Sequence, residues 1–165
     1  MSPLRTTVLT AALAAVVLVP QAASAREAHG SGTVRQVAAG TCARVPAPQP
    51  LVREDCSGVE EAFAGVLRST APAAIKQRSW FDVPSGRAWF SGTERFVGCI
   101  GTRCGTLIFT FHGSFVADLS TSTLRGSRTL VVSGAGGGLT GVRGTVVQRI
   151  GEGAGYVANL RTPGR

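Results

Sequence analysis

The stretch Gly105-Thr106-Leu107-Ile108-Phe109-Thr110-Phe111-His112-Gly113-Ser114-Phe115 decides the fold class. Leu107, Phe109, Phe111 and Phe115 fall on one face of an extended chain, and Thr106, Thr110 and His112 fall on the other. A two-residue period of this kind belongs to a strand with one buried face. Upstream, Arg87 to Val97 carries Trp89, Phe90 and Phe96 in a second such run. Downstream, Arg128 to Ser133, Val142 to Ile150 and Gly155 to Arg161 are further candidates, and a shorter alternating piece lies at Gly32 to Val37. Glycines bound these runs at short, regular intervals, which predicts an antiparallel meander. A meander with one apolar face and two free edges hides all three by closing on itself. The expectation is therefore an all-β antiparallel closed barrel of about eight strands. The stretch Ser57-Gly58-Val59-Glu60 also fits a capping box, with Val59, Phe63, Val66 and Leu67 as a helical stripe, so a helix competes with a strand there.

The 165 residues carry 44% apolar and 16% charged side chains, too apolar for a disordered chain and too short for a multidomain enzyme. Residues 1–25 read as a cleavable secretory signal peptide: Arg5, the apolar run Val8 to Val19, then Ala23-Ser24-Ala25. Residues 26–165 are then a single exported barrel domain with no membrane span. Cys42, Cys56, Cys99 and Cys104 all lie in this part, and an even count in an exported chain predicts two disulfides. Four cysteines allow three pairings. Proximity favours Cys42 with Cys56, tying the Pro-rich stretch Pro46 to Pro50 as a loop over 42–56, and Cys99 with Cys104 across a hairpin end. No Cys-x-x-Cys spacing supports a metal site, and neither metal nor cofactor is expected. The net charge of +8 comes from arginines scattered singly, which reads as solvated surface, so no nucleic-acid partner is expected.

Glu94 shares its face with Ala88, Phe90, Gly92 and Phe96, which places a carboxylate among apolar groups. Burial would raise its pKa and suit it to acid–base work or to anchoring a ligand. The competing reading is a structural ion pair, for example with Arg143, or an outward position if the pleat is reversed. His112 lines a cavity if the Phe109 and Phe111 face packs outward, and is a surface residue if those rings fill the interior. Trp80, Trp89 and Tyr156 are candidates for a pocket wall. Gly136-Gly137-Gly138-Leu139-Thr140-Gly141 matches Gly-x-Gly-x-x-Gly literally, but Thr145-Val146-Val147 follows where a dinucleotide loop needs a helix, so the motif reads as a turn.

Four segments carry a resemblance: Phe63-Ala64-Gly65, Gly92-Thr93-Glu94-Arg95, Gly105 through His112-Gly113, and Gly138-Leu139-Thr140-Gly141-Val142-Arg143-Gly144. Over roughly residues 60 to 160 the chain resembles small bacterial domains with an allene-oxide-cyclase-like, or dirigent-like, barrel. The resemblance implies that Glu60 to Ser69 is a strand rather than a helix. It also implies a barrel that binds an apolar small molecule and guides its cyclisation or isomerisation. Glu94 would be the catalytic group, with Phe90, Phe96, His112, Arg143 and Tyr156 around the ligand. The alternative is a noncatalytic exported binding or interaction module without a ligand cavity, its outer face open to homo-oligomerisation.

Overall fold

The computed structural model describes residues 26–118, 120–121, 123–151 and 155–164, so the expected leader over residues 1–25 lies outside the described residues. Eight strands follow one another: β1 (Arg26–Val45), β2 (Leu51–Gly65), β3 (Leu67–Asp82), β4 (Arg87–Ile100), β5 (Arg103–Asp118), β6 (Thr123–Gly137), β7 (Arg143–Ile150) and β8 (Gly155–Thr162). Each pairs antiparallel with its neighbour in sequence, and β1 pairs with β8 to close the ring. The long β1 makes the closure: residues from Arg26 to Thr33 pair with β8, and those from Gly32 to Val45 pair with β2. No helix occurs among the described residues.

The alternation in β5 is observed, with Leu107, Phe109 and Phe111 buried and Thr110 and His112 exposed. The rings therefore fill the interior, and His112 stands on the outer wall. The helical stripe beginning at Ser57 is not formed. That stretch belongs to β2, where Ser57 and Val59 pair with Lys76 and Ile75 across a register shift. Glu60 to Ser69 is not one strand either, since the chain turns at Val66 between β2 and β3. Strand β3 hides its period because Pro72 interrupts it. The ladder to β4 shifts register between Ser69 and Ala74, which accommodates a residue without an N–H to donate.

Both disulfides form as proximity suggests, Cys42 with Cys56 and Cys99 with Cys104. They join directly opposed residues of adjacent strands. The segment 42–56 is thus a correction to the expected loop: the strands continue on both sides of the Pro-rich turn, and the bridge lies across a hairpin. Two disulfides are compatible with an extracellular protein, and among the described residues no helix is long and apolar enough to cross a membrane.

The glycine motif does turn the chain. Gly137 and Gly141 adopt φ of 64° and 80°, a region that costs a side-chain-bearing residue, and Leu139 between them is fully buried. Leu139 closes one end of the barrel like a stopper. The Arg103 Nε donates to the carbonyl of Gly138 at 2.8 Å and fixes that turn to the β4–β5 hairpin.

Candidate functional site

The barrel interior divides into two halves. The half beside the β2–β3 corner and the β6–β7 turn is packed solid. Phe63 lies edge-on to both Phe96 (5.7 Å between centroids) and Tyr156 (5.6 Å), with Leu67, Leu107 and Leu160 fully buried around them. Tyr156 spends its hydroxyl inside this half. It accepts the Leu67 N–H at 2.8 Å and faces the carbonyls of Ala64 and Leu67, each at 3.2 Å. Burial moves its pKa upward, and the hydrogen bond from Leu67 opposes that shift. Phe96 and Tyr156 are thus buried in this half, apart from the open mouth of the barrel.

The opposite half opens between the β1–β2, β3–β4 and β5–β6 hairpins. Its interior holds charge. Arg128, buried on β6, donates its Nε to Gln148 Oε1 at 2.6 Å, and its Nη2 pairs with Glu61. The same Nη2 lies 3.0 Å from Glu94 Oε2, while the Arg128 guanidinium sits 5.1 Å from the centre of the Phe111 ring. Attraction of a cation to a ring face and to two carboxylates compensates for its removal from water. Register brings these groups together. Phe90 opposes Gly113, Gly113 opposes Arg128, and Arg128 opposes Gln148 across four consecutive strands. Gly113 is required there, because a Cβ would meet the Phe90 ring at 2.6 Å and the Arg128 Cβ at 2.7 Å.

Glu94 occupies the inward position expected from period two and is 1% exposed. The ion pair with Arg128 is close but poorly aligned, so both Glu94 oxygens are buried without a hydrogen-bond partner. Burial pushes its pKa up to about 7, the Arg128 charge opposes that rise, and the Glu61 charge adds to it.

A cavity of about 320 Å³ reaches into this half, bounded by Glu61, Gln77, Phe90, Phe115, Arg128 and Gln148. Glu94 lies beneath Arg128 and does not line it. At Phe115 the cavity adjoins a larger apolar depression of about 510 Å³ at the barrel mouth, walled by Val52, Phe81, Val83 and Leu124. Phe115 packs against both Phe81 and Phe90 at the junction.

Of the expected site residues, the structure brings Phe90 and Glu94 to this region. It does not bring His112 or Arg143, which are both exposed on the outer wall. The arginine that meets Glu94 is Arg128 rather than Arg143. Arg143 begins β7 and points to solvent opposite Arg161. Arg128, Gln148 and Glu61 were missed, yet each shares period two with buried apolar neighbours: Arg128 with Leu130, Gln148 with Val146, and Glu61 with Phe63. Among the described residues, Cys42, Glu54 and Cys56 are the one group with metal-ligand proximity, but the two sulfurs are bonded to each other and offer no thiolate.

An eight-stranded antiparallel ring, sealed at one end and charged inside the other, defines a small all-β barrel protein with an interior cavity at its mouth. The chain belongs to the family described as Protein of unknown function (DUF3224), whose profile matches residues 28–158. Among solved structures it is similar to a protein of unknown function from the same family in Shewanella oneidensis MR-1, whose crystal structure was determined at 1.84 Å resolution. The two share 19% identity with a TM-score of 0.57, over 86% of this chain and 99% of that one, a likeness of fold. No curated protein matches the chain. DUF3224 is thus the family shown, and the likeness to allene-oxide-cyclase-like barrels rests on the glycine motifs alone.

Proposed function

We propose that the open half of the barrel binds a small amphipathic molecule. Its apolar body would rest in the mouth against Phe81, Phe115 and Leu124, and its polar end would meet Glu61, Arg128 and Gln148. The observation that carries this reading is the Glu61–Arg128–Glu94 cluster, with Arg128 and Glu94 buried and Glu61 partly so, beneath an apolar mouth. An otherwise apolar core gains nothing in stability from ionisable groups taken out of water, whereas a ligand site gains orientation. Glu94 acts on the site through Arg128 as a positioning residue, setting the charge of the cluster with its own proton. The resemblance to allene-oxide-cyclase-like barrels extends the reading to guided cyclisation or isomerisation. The cavity would then hold one conformer of the substrate away from water, and orientation rather than covalent chemistry would be its contribution.

The test uses the neutral fluorophore N-phenyl-1-naphthylamine as the probe. Its emission should rise on mixing with the protein and fall as extracts of the native host are added. Leu124→Arg, an exposed mouth position, should abolish the rise while the chain stays folded. No enhancement with the unaltered protein, or equal enhancement with Leu124→Arg, overturns the reading.

A further inference from the structure

The outer wall of β3 to β6 carries a second depression, separate from the barrel interior. Trp80 and Trp89 are opposed across β3 and β4, and Trp89 in turn opposes Ser114, which opposes Ser127 on β6. The next outward row places Ser91, His112 and Thr129 side by side. Together these rows bound a groove of about 500 Å³. Trp89 is 42% exposed and Trp80 is half-buried. The groove has no Asp, Glu, Lys or Arg in its walls.

We propose that this groove binds an uncharged glycan, with the indoles stacking on sugar faces and the hydroxyl row and His112 hydrogen-bonding to sugar hydroxyls. Its chemistry excludes the other occupants. Nucleic acid and acidic polymers require cationic side chains to replace their counterions, and the walls supply none. A lipid tail requires an apolar lining, whereas five side chains here present a hydroxyl or an imidazole that must be paired when water leaves. A second copy of the same face is disfavoured by shape, since two hollows related by a two-fold axis enclose a void instead of filling each other. A ring of polar groups around exposed aromatic faces instead matches a ligand whose C–H faces are apolar and whose rim is hydroxylated.

Trp80 and Trp89 are the chain's only two tryptophans and both line this groove, so intrinsic tryptophan emission reports on its occupancy. Titration with cellohexaose, xylohexaose, laminarihexaose and hexa-N-acetylchitohexaose should give a saturable emission change with at least one of them. Trp89→Ala should weaken that binding about tenfold, the loss expected for one aromatic stacking contact. If Trp89→Ala does not fold, Ser114→Arg decides, because it fills the groove from an exposed position and should weaken binding to a similar degree. Binding that survives either folded variant overturns the proposal, as does an emission change with none of the four glycans. A change on simple dilution assigns the face to self-association, and a change on neutral phosphatidylcholine vesicles assigns it to lipid. Either result also overturns the glycan assignment.

Discussion

The two halves of the barrel use the same strands and the same inward positions for opposite ends. Around Phe96 the inward side chains are rings and aliphatics, with a tyrosine whose hydroxyl is consumed by backbone groups. Around Arg128 they are two carboxylates, a carboxamide and a guanidinium beside phenylalanines. Closing a ring of strands satisfies backbone groups all round, which lets each half specialise. The sealed half removes apolar side chains from water, whereas the open half holds ionisable groups in its interior, at a cost that the sealed half must offset.

The comparison is broken most directly by hollowing the sealed half. Phe96→Ala should cost about 3–5 kcal/mol in chemical denaturation, whereas Phe115→Ala in the half-buried mouth should cost clearly less. Equal losses would mean that the two halves do not differ in packing.

The open half should show itself through pH. The folded-state pKa of Glu94, about 7, stands above its ordinary value of 4.5, so the folded chain holds the proton more tightly than the unfolded one. The burial penalty is absent below pH 4.5, grows as the pH rises to about 7, and is constant above that. It should amount to roughly 3 kcal/mol of lost stability across this window. Glu94→Gln should flatten that part of the profile and leave the protein folded; unfolding by Gln at every pH would instead make the carboxylate a structural requirement.

Gly113→Ala sharpens the comparison, since its methyl would press on the Phe90 ring, the Arg128 side chain and the Ser127 carbonyl. It should destabilise by about 1–3 kcal/mol and weaken probe binding in the mouth without disturbing the sealed half. The smallest effect is expected outside the barrel. Arg143→Ala, at an exposed position, should change stability by less than about 0.5 kcal/mol and leave probe binding intact.

Much of this was legible in the residues of β4 and β5. Their alternation specified strands and which side chains share a face, Glu94 with Phe90 and Phe96 among them, because period two links every side chain in a strand to its neighbours. The glycine-rich turn before β7 was legible for a similar local reason. Strand β3 was not, since Pro72 and the register shifts around it break the period that would have revealed it.

The sequence alone determined which side chains share a face in β4 and β5, that strands dominate the chain beyond Arg87, and which cysteines lie close enough to pair. Tertiary structure decided which face is inside, and so removed His112 and Arg143 from the interior. It also decided that Glu94 meets Arg128 and Glu61, whose positions are 34 and 33 residues from Glu94 in the numbering. Strand period relates residues within one element, but only the register and tilt of a closed ring set which residues of separate strands reach the same depth.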